Sequence, residues 1–304
     1  MTKPKKNIII KAVKLIPFEN GEKMHLRKKN DLPQISSGKI KKLLFNKERY
    51  NIICFPALSS TQSNLKHFAA RGAEEGLVLI ADSQSGGRGR EGRSFFSPYG
   101  SGIYMSILFR PSDSAPSLSP KKLVHITTSA AVAVSEAIEA VTGKKTDIKW
   151  VNDIFYDGLK VSGILTEAVF DETKTGYDFI TLGIGINLYK NGFPSELQGV
   201  AGALYRKKPF NLIGLKTRLI AEILNRVDCC YRLIGKEDFS YVNKYRERSM
   251  VIGKDVDIIV NDKKVNSGRV LSLTDDCALE VKTESGELLT LSYGEVRIKL
   301  SEKQ

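Results

Sequence analysis

The 304-residue chain has only four cysteines, three histidines and one tryptophan. Cys54, Cys229, Cys230 and Cys277 show no Cys-x-x-Cys spacing. His25, His67 and His125 are scattered, and none pairs with a cysteine or carboxylate at ligand spacing, so no metal site is assigned. The thiols are expected to be free, with Cys229 and Cys230 packed in a helix, as suits a reducing cytoplasm. No run of eighteen apolar residues is present, so no membrane span is expected. The basic N-terminus lacks a signal-peptide core and cleavage site, and Ile8-Ile9-Ile10 is followed at once by Lys11. There is no Gly-x-x-x-x-Gly-Lys-Ser/Thr run, which excludes a nucleotide site of that type.

What is abundant is positive charge, and it is unevenly spread. Residues 1–50 hold 14 lysines and arginines against 4 acids, so they carry +10 of the net +13. Such a segment suits a solvated arm, or a contact with nucleic acid or an acidic protein surface. It offers one strand, 8–15, and a short helix near 39–45. No two helices joined by a tight turn precede a third, so a helix-turn-helix is not expected.

From Tyr50 the pattern sharpens. Asn51–Phe55 reads as a strand, and Ser59-Ser60-Thr61 is placed to cap a helix carrying Leu65, Phe68 and Ala69, which Gly72 ends. Leu77–Ala81 and Gly102–Phe109 read as strands. Residues 123–141 form a helix with one apolar face, stopped by Thr142-Gly143. A strand over 147–151 and its return over 159–168 are joined by a turn at Tyr156-Asp157-Gly158, and a further strand spans 177–186. A second long helix covers 212–227. Beyond about Met250 five short strands, Asp255–Val260, 268–273, 278–282, 288–292 and 296–299, alternate with turns and suggest a small barrel.

Three segments carry chemistry. Gly86-Gly87-Arg88-Gly89-Arg90-Glu91-Gly92-Arg93 alternates arginines with glycines, a backbone free to wrap a ligand and guanidinium forks suited to carboxylate or phosphate. Ser60, Thr61 and Gln62 sit at a strand-to-helix junction, where hydroxyls donate and accept, and Gln84 lies just before the Gly/Arg loop. Lys149-Trp150-Val151-Asn152-Asp153 and Lys160 gather a carboxylate, an amide and an ammonium through the hairpin. Taken singly, each has a plainer role: cap, surface loop, turn chemistry, solvated lysine or, for Trp150, core. Taken together they suit acyl-adenylate chemistry. A substrate carboxylate is pressed against an α-phosphate there, and cations offset the repulsion and the charge that develops.

With these residues in view the chain resembles the biotin protein ligases, also called biotin–[acetyl-CoA-carboxylase] ligases. The resemblance runs from about Lys39 to the end, carried by Ser60-Thr61, Ala81-Asp82-Ser83-Gln84, Gly87 to Arg93, Lys149-Trp150 with Asn152-Asp153, Lys160 with Gly163-Ile164-Leu165, and Gly183 to Leu188 in the family's order. It implies an α+β fold, with a mixed-sheet catalytic domain of the biotin/lipoate ligase type over 39–248 and a small SH3-like β-barrel over 249–304. Residues 1–38 are left as a basic segment. It implies that biotin and MgATP form biotinyl-5′-AMP, and that biotin then passes to one lysine of a carboxylase carrier protein, in the cytoplasm, by an enzyme that could be a homodimer. Ser60, Thr61, Gln62 and Gln84 would line the biotin head. Arg88, Gly89 and Arg90 would close over the adenylate, Lys160 would touch carboxylate and α-phosphate, and Arg93, Phe95, Asn152 and Asn187 would face the nucleotide. Lys160, Arg90 and Asp153 would be catalytic, Asp153 as base toward the acceptor lysine or else as a metal-side or hairpin residue.

The chain departs from the family pattern in four places. Gln62 stands where Asn is usual, Val151 where Pro is usual, and Phe95 where Trp is common. Residues 1–38 do not match the winged helix of repressor-type members, so DNA binding is not expected. A related lipoate-type carboxylate ligase, or a DNA-binding regulator that senses an adenylate, are the other readings.

Overall fold

The computed structural model describes residues 33–111, 118–119, 122–171, 176–260, 262–292 and 297–300. The strand expected over 8–15 and most of the basic segment lie outside them. Seven strands form one mixed sheet in the order β1-β2-β3-β7-β6-β5-β4. They are β1 Asn51–Phe55, β2 Leu77–Ala81, β3 Gly102–Phe109, β4 Asp147–Lys149, β5 Asp153–Tyr156, β6 Leu159–Phe170 and β7 Tyr177–Asn187. Only β1 and β2 pair in parallel, because helix Thr61–Ala69 (α2, after the short α1 Ser37–Lys41) crosses between them. The return to β2 needs Gly76, where φ is +83° and a Cβ would lie 2.3 Å from the Arg49 carbonyl oxygen.

Alternation along the strands divides the sheet's two faces. Val78 and Ile80 of β2 join Ile103, Met105 and Ile107 of β3 in the larger core, while Leu77, Leu79 and Ala81 pack with Leu65 and Ala69 of α2 in the smaller one. The larger core is roofed by α3 Leu123–Thr142 and α4 Leu212–Gly235. By length and composition α3 could cross a membrane, but 78% of its apolar stretch is buried inside the protein, the behaviour of a core helix. Gly143 ends it in the left-handed conformation, as Thr142-Gly143 suggested. Ile35, four residues ahead of the expected boundary at 39, is buried in this core with Ile40.

Several elements differ from the sequence expectation. The strand drawn over 147–151 ends at Lys149; Trp150 to Asn152 turn, and Asp153 opens a separate strand. The hairpin with Asp157 and Gly158 at positive φ therefore joins β5 to β6, and β4 lies one place further out. Asn152 explains the break, since its side chain donates to the Ile164 carbonyl (2.7 Å) and its own carbonyl accepts the Ile164 N–H (3.0 Å). Helix α4 continues past Val227 to Gly235 because Tyr231 and Ile234 prolong the buried stripe. The expected helix over 39–45 is only the α1 turn and a half, and α5, Tyr241–Arg248, was missed. Its polar surface hides a short seam of Tyr241, Val242 and Tyr245.

The C-terminal strands are β8 Asp255–Val260, β9 Lys263–Leu273, β10 Leu279–Thr283, β11 Leu288–Leu291 and β12 Arg297–Leu300. They form a small, antiparallel, SH3-like sheet in the order β11-β10-β9-β8-β12. Its apolar side, with Val256, Ile258, Val270, Leu279 and Val281, merges with the larger core.

Candidate active site

Where α2 begins, Ser60 is the N-cap, and its hydroxyl accepts the Ser63 N–H at 3.4 Å. The next residue faces the sheet. The Thr61 N–H (2.8 Å) and hydroxyl (3.1 Å) both donate to Gln84 Oε1, and the hydroxyl also meets Ser106 Oγ at 2.9 Å. Gln84 Nε2 donates to Ser97 Oγ at 2.9 Å, so that amide is held at both ends. Gln62 is 3% exposed. Its Nε2 donates to Thr181 Oγ1 (2.9 Å) and to the Thr181 carbonyl (3.2 Å), while its Oε1 is buried with no donor among the described residues. Gly183 makes room for it: a Cβ there would come 2.7 Å from that oxygen.

The Gly/Arg loop is a closed lasso. Phe95 N–H donates to the Gly87 carbonyl (2.9 Å), Gly89 N–H to the Arg93 carbonyl (2.7 Å), and the tip turns at Arg90–Gly92 with Glu91 at φ 55°. From the tip, Arg90 Nη1 donates to Asn152 Oδ1 at 3.1 Å, so the loop reaches across to the far wall. Arg88 Nη1 lies 3.3 Å from Ser63 Oγ, and Arg93, largely exposed, is 3.7 Å from Glu91.

Opposite the loop, Lys160 Nζ is 2.7 Å from Asp153 Oδ1, each side chain about a quarter to a third exposed (31% and 25%). Asn187 Nδ2 donates to the Gly202 carbonyl at 3.0 Å. Phe95 packs onto the floor where Gly163 and Gly185 pair across β6 and β7. A Cβ on Gly185 would lie 2.7 Å from its ring. Its other neighbour is Tyr104, edge-on at 6.4 Å between centroids.

These residues enclose one cleft of about 310 Å³. All thirteen residues named from the sequence line it: Ser60, Thr61, Gln62, Gln84, Arg88, Gly89, Arg90, Arg93, Phe95, Asn152, Asp153, Lys160 and Asn187. Asp82, quoted with Gln84 in one motif, does not. It is buried below the loop, where its carboxylate accepts the Gln34 N–H at 2.6 Å and burial pushes its pKa up. Sequence reasoning missed Phe96, Phe193, Val200, Ala201 and Ile298, which also line the cleft. Ile298 comes from the C-terminal sheet, and no local pattern could have brought it here. Lys149 lines the wall as a second lysine beside Lys160. Five basic side chains (Arg88, Arg90, Arg93, Lys149, Lys160) face two acids (Glu91, Asp153). Hydroxyls and amides (Ser60, Thr61, Gln62, Gln84, Ser106) thus share the cleft with an excess of cations, a lining suited to an uncharged polar ring together with phosphates.

Residues 54–187 match the biotin/lipoate A/B protein ligase family, and residues 251–298 match the biotin protein ligase C-terminal domain. Together the two matches cover more than half of the chain. The chain belongs to the biotin protein ligase family. Among relatives, the bifunctional ligase/repressor BirA of Bacillus subtilis is 40% identical over 154 residues, 51% of this chain and 46% of the relative. The biotin–[acetyl-CoA-carboxylase] ligase of Mycobacterium tuberculosis is 28% identical over 65% of this chain and 70% of the relative. The match to BirA therefore spans about half that relative's length. Among solved structures, the biotin protein ligase from Aquifex aeolicus in complex with biotin and ATP superposes with a TM-score of 0.67 and 26% identity, covering 83% of this chain and 99% of that one.

Proposed function

We propose that this member of the biotin protein ligase family activates biotin with MgATP and transfers it to a lysine of a carboxylase carrier domain. The observation that carries the choice of substrate is the polar lining at the α2 end of the cleft, where Ser60, Thr61, Gln62, Gln84 and Ser106 stand together. A ureido ring brings N–H donors and a carbonyl acceptor to such a set. The dithiolane ring of lipoate brings neither and would leave those groups unpaired, the kind of mismatch a buried polar site rejects strongly. Thr61 and Gln84, already locked together, offer the carbonyl side of the same ring its partners.

In the first step a carboxylate oxygen of biotin attacks the α-phosphorus of ATP, the bond to the β-phosphate oxygen breaks, and pyrophosphate leaves. Lys160 stands at the junction of the two anions and offsets their repulsion, and Arg90 reaches over from the loop to cover the adenylate. Arg93, Phe95, Asn152 and Asn187 face the nucleotide. Among the described residues no three of His, Cys, Asp and Glu gather into a metal cage, and of the two carboxylates that line the cleft, Glu91 and Asp153, Asp153 would be the one to meet a Mg²⁺ brought in with the phosphates. The ion would supply neutralisation of phosphate charge. In the second step the acceptor lysine amine attacks the acyl carbon, AMP leaves and an amide forms. Asp153, once Lys160 is engaged by the adenylate, takes the proton from the amine. The catalytic unit in this reading is 39–248, with 249–304 as a cap that adds Ile298 to the wall.

The test is ATP–pyrophosphate exchange with purified protein. Exchange should depend on biotin and be absent with lipoate; exchange with lipoate alone would reverse the assignment.

A further inference from the structure

Trp150 lines the cleft two residues before Asn152, and its indole N–H donates to the Cys277 carbonyl at 2.9 Å. Cys277 lies in the turn between β9 and β10, at φ 61° and fully buried. The turn is locked within itself: Cys277 N–H donates to the Thr274 carbonyl, and Ala278 N–H to Thr274 Oγ1. It is also gripped from outside. Arg246 of α5 donates to the Leu273 carbonyl (2.9 Å) and to Asp275 (2.7 Å). Tyr241 Oη, also of α5, sits 2.7 Å from both Thr128 Oγ1 and His125 Nδ1 of α3, and 3.6 Å from the Cys277 thiol. Thr128 Oγ1 is 3.3 Å from that thiol, and Phe239 covers the His125 ring at 4.1 Å. The Arg246–Asp275 pair is at the surface, but the bonds among Thr128, His125, Tyr241, Cys277 and Trp150 are buried, so each of these fixes geometry that water cannot replace.

We infer that the polar cluster of Thr128, Tyr241 and His125 positions the Cys277 turn, and through the Cys277 carbonyl holds Trp150 and with it the Asn152–Asp153 wall of the cleft. The helical layer and the C-terminal sheet thereby set the end of the site where the nucleotide lies. Tyr241, Thr128 and His125 are positioning residues; none of them lines the cleft. The kinetic side of this inference rests on the function proposed above. Its structural side does not.

Trp150 is the only tryptophan in the chain, so intrinsic fluorescence reports on it alone. In the full-length protein, Thr128→Val and Tyr241→Phe should each raise the acrylamide quenching constant of that fluorescence by about twofold or more, because a loosened turn opens its cover locally. Thr128→Ser, which keeps the hydroxyl, should leave the constant at the wild-type value. In biotin-dependent exchange, Thr128→Val should raise KM for ATP about fivefold to tenfold with KM for biotin nearly unchanged, the size of one lost buried hydrogen bond. In a Trp150→Phe background the same substitution should add little, since the link it acts through is gone. Unchanged quenching in the folded Thr128→Val protein overturns the inference. So does a lowered melting temperature with both KM values unmoved, or an equal rise in both. Should Tyr241→Phe fail to fold, the Thr128 pair decides alone. If the wild-type protein shows no exchange, the proposed function fails, and the quenching comparison still decides whether the cluster sets Trp150.

Discussion

Replacing Lys160 by alanine removes the ammonium that sits 2.7 Å from Asp153 in the lining of the cleft. Two consequences of very different size follow. The ion pair is partly exposed, so its loss costs the fold only about 0.2–1 kcal/mol, and Asp153 can rehydrate. For a chain of this size that moves the melting temperature by no more than about 4 °C. For the reaction the loss is larger. A preorganised group aimed at charge that develops in a transition state is worth about 3–4 kcal/mol, or on the order of 10²–10³ in rate. Biotin-dependent ATP–pyrophosphate exchange should therefore fall by about that factor in a protein that melts almost normally. Lys160→Arg should not restore it. A longer, planar guanidinium cannot set its charge at the point where the compact ammonium sits 2.7 Å from Asp153. Exchange by the alanine variant within about tenfold of wild type would refute the assignment, since a group at the centre of the charge cannot be worth so little. A large drop in melting temperature would instead show the lysine to be structural.

Arg90→Ala removes the bond from the loop tip to Asn152 (3.1 Å) and should leave the fold intact while biotinyl-AMP escapes about tenfold faster in a stopped-flow release assay; an unchanged rate would remove Arg90 as the latch. Asp153→Asn, tested in pre-formed adenylate complexes, should slow single-turnover transfer steeply at pH 7 and recover partly toward pH 10, where an acceptor lysine of pKa near 10.4 deprotonates by itself. A flat ratio of mutant to wild-type rates over that range would exclude Asp153 as the base. Burial lowers the pKa of His125 to about 4 from the ordinary 6.5. The unfolded chain thus takes up this proton first, and the stability that neutral His125 gives, complete above pH 6.5, is lost as the pH falls toward 4, by roughly 3 kcal/mol in all. Urea midpoints of His125→Asn against wild type from pH 7.5 to 4 should show that slope missing; parallel curves would contradict the buried neutral state.

The legible parts of the fold were those written in local pattern. The apolar spacing of α3 and its stop at Thr142-Gly143, the Asp-Gly turn between β5 and β6, and the five C-terminal strands could all be read from neighbouring residues. The break after Lys149 could not, because it depends on Asn152 bonding to Ile164 of another strand. Nor could α5, whose buried seam is only three residues long and acquires meaning when it meets α3. The site followed the same rule. Residues grouped in short motifs fell together in the cleft. Ile298 joined them from more than a hundred residues beyond Asn187, and Trp150, whose plainer reading was core packing, both lines the wall and donates to the Cys277 carbonyl. Long-range partners of this kind leave no trace in spacing, whereas the chemistry of a residue type does.

Whether this chain joins biotin to a protein lysine is read on the acceptor itself. Purified protein is incubated with biotin, MgATP and an apo carboxylase carrier domain, and the carrier's intact mass and modified peptide are read by mass spectrometry. The carrier should gain the mass of one biotinyl group on a single lysine, only when biotin and ATP are both present, and far more slowly with the Lys160→Ala protein. A carrier of unchanged mass under conditions where a known ligase modifies it would rule out biotin transfer by this chain.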